Sequence, residues 1–192
     1  MWTRRSLLAS SGCLLVTPQL AGAADTQMVL DDLSNPGFTS LGTPWNSFTD
    51  RVMGGLSDMS AELTEVEGRR AMRMVAEVTT ANNGGFAQIA ASLGQRGLNA
   101  SGFRALELDI WGNDEVYEVH LRTPACRRPW QYYRHTFSAP ARWSTVRLRL
   151  DKFEPISMRG ALDTTALRRI GIVAYGRDFM ADLSIARVAF IG

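Results

Sequence analysis

Leu106-Glu107-Leu108-Asp109-Ile110-Trp111 decides the fold class, because Leu106, Leu108 and Ile110 alternate strictly with Glu107, Asp109 and Trp111. A strand sends successive side chains to opposite faces, so such a segment buries one face and wets the other. The same period recurs on both sides. Tyr117, Val119 and Leu121 alternate with Glu118, His120 and Arg122; Val146, Leu148 and Leu150 alternate with Arg147, Arg149 and Asp151. Ala71–Val78, Phe86–Leu93, the aromatic-rich Gln131–Ser138, Leu167–Tyr175 and Asp182–Ile191 read as further strands. Turn-forming residues at 79–85 and at Gly176-Arg177-Asp178 separate them. No segment keeps an apolar 3.6-residue repeat long enough for a substantial helix, although Asp163-Thr164-Thr165 resembles a cap for one helical turn within Leu162–Arg169. The chain is expected to be all-β. A sandwich and a barrel satisfy this spacing equally.

The N-terminus sets the compartment. Met1-Trp2-Thr3-Arg4-Arg5-Ser6-Leu7-Leu8 is followed by an apolar run to Leu20 and by Ala21-Gly22-Ala23-Ala24. A basic start, a short apolar stretch and a small-residue exit read as an export signal over 1–23, leaving residues 24–192 as a single periplasmic domain. The run is short and interrupted by Pro18, so no membrane span is expected once it is removed. Its Arg-Arg pair matches a twin-arginine signal, and an ordinary secretory signal with two arginines is the other reading. Loss of Arg4 and Arg5 lowers the Lys+Arg count from 21 to 19, equal to the 19 Asp+Glu. A near-neutral domain gives no electrostatic reason to expect nucleic acid. Cys126 is then the only cysteine, which rules out an intrachain disulfide, and with His120 and His135 it is too little for a cysteine–histidine zinc cluster.

Two glycine pairs stand out: Asp50-Arg51-Val52-Met53-Gly54-Gly55-Leu56-Ser57, with Trp45 just ahead, and Asn83-Gly84-Gly85-Phe86. Each calls for a tight loop, since glycine alone takes positive φ without steric cost. Gly54-Gly55 lacks the Lys-Ser/Thr of a phosphate loop, and Leu56-Ser57-Asp58 lacks the flanking glycines of a hydrolase elbow. Neither an enzyme nor a cofactor is expected. In order and context the two segments resemble the complex I intermediate-associated protein family, the assembly factors of mitochondrial NADH dehydrogenase and their bacterial relatives. Tyr117–Thr123, Tyr133-Arg134-His135-Thr136-Phe137, Trp143-Ser144-Thr145-Val146 and Ile170-Gly171-Ile172 extend the likeness. It runs from Leu30-Asp31-Asp32 to the final strand. The resemblance implies an antiparallel jelly-roll β-sandwich of the galactose-binding-like kind. It also implies a non-enzymatic assembly or maturation factor, here acting on a protein partner in the cell envelope. The runner-up is a carbohydrate-binding module with a glycan as ligand, favoured by fold analogy and aromatic loops.

The candidate binding residues are Trp45, Asp50, Arg51, Met53, Gly54, Gly55, Ser57, Asn83, Gly84, Gly85, Phe86, Arg122 and Arg134. One reading gathers Asp50, Arg51, Asn83, Arg122 and Arg134 into a polar recognition site, where arginine forks and an amide suit hydroxyls, carboxylates or peptide groups. The other has Asp50 capping its own loop and ion-paired to Arg122. Trp45, Phe48, Trp130, Tyr132 and Tyr133 serve either as a stacking platform or as core, with Trp130 the best candidate for exposure. His120 shares an outward face with Glu118 and Arg122 and reads as a hydrogen-bonding group. Cys126 lies beside Arg127 and Arg128 without an assigned base. Asp31, Asp32 and Asp182 form an incomplete calcium set, so no metal is expected. Replacing Arg4 and Arg5 by lysines tests the export reading. Delivery of a twin-arginine substrate should stop, whereas an ordinary secretory protein would still be processed to begin at Ala24 or Asp25.

Overall fold

Period-two alternation becomes sheet in the computed structural model, which describes residues 26–192. Twelve strands form: β1 Gln27–Asp31, β2 Trp45–Thr49, β3 Asp58–Val66, β4 Arg69–Val78, β5 Phe86–Ser92, β6 Ala105–Trp111, β7 Glu115–Arg122, β8 Tyr132–Ala139, β9 Ser144–Arg149, β10 Glu154–Ile156, β11 Arg169–Tyr175 and β12 Phe179–Ile191. They divide into two antiparallel six-stranded sheets. The first runs β3-β4-β12-β6-β9, with β1 also paired to β12; the second runs β10-β8-β7-β11-β5-β2. Two separate sheets, not one closed sheet, settle the sandwich against the barrel. The export signal expected over 1–23 lies outside the described residues.

Inward positions of the two sheets make one core. Leu106, Leu108 and Ile110 of β6 face Val119 and Leu121 of β7 and Ile170 and Ile172 of β11 across it, all without solvent exposure. Strand β12 is long enough to serve two neighbours on one side, pairing through residues 179–185 with β4 and through residues 188–191 with β1. A register shift between Ile185 and Arg187 lets Ile185 face the core on one side of it and Val188 and Phe190 on the other. An extra residue reverses the alternation in this way and bends the strand. Cys126, the one cysteine among the described residues, is free.

Most expected strands fall within two residues of their positions, and the expected helical turn is the 3₁₀ turn Thr164–Ala166, where the Asp163 carboxylate accepts from the Thr165 N–H. Strands β1, β2, β3 and β10 have no counterpart in the sequence reading. In β2 the alternation is inverted, with the polar Ser47 and Thr49 on the same side as Trp45 and with Phe48 opposite. Strand β3 lies at a sheet edge, where Met59, Ala61 and Leu63 are only half-buried. Leu150, read as the end of β9, instead opens a 3₁₀ turn.

Candidate functional site

The segment after β2 turns back into the molecule. Thr49 Oγ1 accepts from the Arg51 N–H and opens a 3₁₀ turn over Asp50–Met53. That turn drives the Asp50 side chain inward, where the residue has 0% exposure. Its Oδ1 accepts from the Ser57 N–H at 3.0 Å. Its Oδ2 accepts from the Ser57 hydroxyl at 2.5 Å, the Gly85 N–H at 2.5 Å and the Phe86 N–H at 3.2 Å. Burial pushes this carboxyl up, but the bonds from Gly85, Ser57 and Phe86 outweigh it and hold it below the ordinary carboxylate range. One carboxylate thereby ties together two loops 35 residues apart in sequence.

Both glycine pairs are shaped by that carboxylate. A Cβ on Gly55 would overlap the Asp50 carboxyl carbon, and one on Gly84 would lie 2.5 Å from Asp50 Oδ2. Their partners supply the turns, Gly54 at φ +93° and Gly85 at φ +123°. Each pair therefore has one glycine for close approach and one for conformation.

The clasp pushes the rest of its loop outward. Val52, Met53 and Leu56 are 72%, 64% and 54% exposed. Gly176 N–H donates to Gly85 O, and Asp178 Oδ1 accepts from the Thr80 N–H and hydroxyl, so the β11–β12 turn joins the same end of the sandwich. Asn113, before β7, donates to Met180 O there. Among the described residues, six of the nine exposed large apolar side chains lie at this end: Val52, Met53, Leu56, Val116, Tyr175 and Met180.

The expected polar site is not assembled. Asp50 and Ser57 are spent on the clasp. Arg51 reaches outward, donating through Nε to Ser57 O and lying 3.5 Å from Asp58, and Asn83 is exposed. Arg122 is at the far end of the sheet, because β11 pairs Tyr175 with Phe86 at one end and Arg169 with Ser92 and Arg122 at the other. An Arg122–Asp50 ion pair is therefore excluded; Arg122 donates instead to the carbonyls of Cys126, Arg128 and Pro129. Trp45 also sits at that far end, donating from Nε1 to Asp31 Oδ2 at 2.6 Å. Trp130 is exposed and Cys126 packs its Sγ 3.7 Å from Met158 Sδ. Asp182, a member of the incomplete calcium set, is held by the Arg73 fork at 2.6 and 2.8 Å.

Arg134 lies on the outer face of the second sheet, between Glu118 and Glu154. Next to it the His120 ring stacks on Tyr132 at 3.9 Å and bonds Glu118 through Nε2 at 2.6 Å. His120 does face outward with Glu118, but the residue is buried; desolvation lowers its pKa despite the neighbouring carboxylate. Among the described residues no nucleophile hydrogen-bonds this pair, and the bond and the stack together fix the orientation of the ring.

The sequence pattern of the complex I intermediate-associated protein 30 (CIA30) family matches residues 35–185. The chain belongs to the CIA30 family. The matched span contains the clasp and both glycine pairs. No curated protein matches the sequence. Among solved structures, the family 11 carbohydrate-binding module of a Clostridium thermocellum cellulosomal cellulase is similar, with TM-score 0.68 and 16% identity over 88% of this chain and 96% of that one. The same family's module in complex with a β-1,3-1,4-mixed-linked tetrasaccharide gives TM-score 0.67 and 15% identity over 88% and 97%. A family 30 carbohydrate-binding module gives 0.57 and 12% over 76% and 80%. At these identities the likeness is one of fold, a galactose-binding-like jelly roll.

Asp50→Asn tests the clasp, since it keeps shape but turns an amide N–H₂ toward buried donors. It should cost roughly 2–3 kcal/mol and lower the melting temperature by about 5–10 °C in a domain of this size. Gly55→Val should cost at least as much. The pH dependence has a definite sign. A depressed carboxyl stabilises fully above its unfolded value, near pH 3.9, and that contribution drains away as pH falls through the folded value. The gap between wild type and Asp50→Asn should therefore narrow in acid, as calorimetry would show.

Proposed function

We propose that this CIA30 domain is a non-enzymatic binding module of the periplasm. In this reading it engages a protein partner through the end of the sandwich where the two glycine-pair loops meet, acting as an assembly or maturation factor. The observation that carries the reading is the exposure of Val52, Met53 and Leu56 on a loop whose backbone is fixed by a buried carboxylate. Apolar side chains held in water cost free energy that a partner's surface recovers, and methionine adapts readily to an apolar counterpart. A loop fixed before binding loses little entropy on docking. Asp50, Gly55 and Ser57 shape this surface from beneath; Arg51 and Asn83 border it.

A second reading has its own support. The outer face of the second sheet carries the exposed Tyr175 and the half-buried Phe48 and Gln88, and the solved structures of similar fold are carbohydrate-binding modules. A glycan lying on that face would use aromatic rings and amides for sugar rings and hydroxyls. Fold alone does not choose between these readings.

The two are separable by substitution. Met53→Glu with Leu56→Glu should abolish recovery of a defined envelope protein that the unchanged chain retains, with the melting temperature unmoved. Retention of a specific glycan, undiminished by that double change and without any co-purifying protein, would reverse the order.

A further inference from the structure

Among the described residues, Arg169 is the one half-buried arginine with neither a carboxylate nor a hydrogen-bond acceptor beside it. Among the described residues, eight other arginines pair with carboxylates within 4 Å. Arg169 has none, and no described group accepts a hydrogen bond from it. It is half-buried on the outer face of the second sheet, with Ser92 opposite it on β5 and a second arginine, Arg122, opposite it on β7. Burial first and the Arg122 charge second both work against its protonated form. A desolvated guanidinium beside another cation is costly unless an anion completes it.

The sheet is built to hold that guanidinium in place. Across β5 and β11 the row next to Arg169 consists of Ala90 and Gly171. A Cβ on Gly171 would overlap the Gln88 amide, which lies across that position. Over this low ground the Arg169 side chain reaches toward β2, its guanidinium carbon 5.1 Å from the centre of the Phe48 ring. The aromatic face fixes the fork's position and leaves its N–H donors unspent. Arg122 cannot substitute for it, because its donors already serve three carbonyls. The nearby Glu118 is neutralised by Arg134 and bonded to His120.

We propose that the outer face of the second sheet binds an acidic polysaccharide, with Arg169 receiving a uronate carboxylate through its guanidinium fork. The inference rests on the glycan reading of this face and adds the charge of the ligand. The accessible groups of this face, Arg169, Gln88, Asn46 and Tyr175, are spread over three strands, which fits an extended chain better than an enclosed small molecule. Gln88 and Asn46 supply hydroxyl partners, and Tyr175 an exposed ring. The planar fork matches a carboxylate with two parallel bonds, which a neutral sugar does not offer.

Affinity electrophoresis in gels containing polygalacturonate or alginate tests this, with the carboxyl-reduced form of each polymer and mixed-linked β-1,3-1,4-glucan as neutral counterparts. At least one acidic polymer should retard the protein, its reduced form should not, and added salt should weaken the retardation. Arg169→Gln should weaken binding at least tenfold and Arg169→Lys by less, since lysine keeps the charge but loses the fork. Arg169→Gln should leave the melting temperature level or raised, because it removes a like-charge neighbour of Arg122; a purely structural arginine would lower it. Equal retardation by acidic and reduced polymers, or binding indifferent to Arg169→Gln, would overturn the carboxylate assignment while leaving the glycan reading intact. Retardation by none of the five polysaccharides would overturn both.

Discussion

The Asp50 carboxylate is the constraint from which the signature end of this domain follows. It is buried and makes four hydrogen bonds, three of them to backbone N–H groups that two irregular loops would otherwise leave unpaired. Backbone donors off the sheet ladder must find acceptors, and a carboxylate can serve several at once. Close approach of those loops to one carboxyl group then dictates glycine at 55 and 84, where any side chain would occupy its space. The spacing of acid, paired glycines and serine is thus the sequence trace of one buried interaction, and not of a contact surface.

This separates two meanings of a motif. The residues most visible in the sequence, Asp50, Gly55, Ser57 and Gly85, face inward. The residues they set out in water, Val52, Met53 and Leu56, are apolar and exposed. The same separation holds at the level of the fold. The CIA30 family and the carbohydrate-binding modules share a jelly roll, whereas any activity resides in side chains grafted onto it.

Legibility in the sequence followed burial. Strands β6, β7 and β11 lie inside their sheets, and their inward faces are wholly apolar, so alternation or apolar runs revealed them. Strands β1, β2, β3 and β10, at the margins of their sheets, show no clear alternation around a buried apolar row, and β2 even reverses the rule with Phe48 outward. That reversal matters, since Phe48 is the ring under Arg169. Outward-facing sets such as Glu118, His120 and Arg122 could be read within one strand. What local sequence lacks is strand order: the pairing of β11 with both β5 and β7 puts Arg122 beside Arg169 and far from Asp50. Non-local pairing is set by topology, and no short-range signal encodes it.

Direct titration of the Asp50 side chain by carbon-detected NMR is the sharpest test of the clasp. A carboxylate accepting four hydrogen bonds in the folded protein should titrate below the ordinary aspartate value of about 3.9. The Gly85 and Phe86 amide resonances should shift at the same midpoint, because they share its Oδ2. An Asp50 midpoint at or above that ordinary value, with the Gly85 and Phe86 amides indifferent to it, would contradict the account.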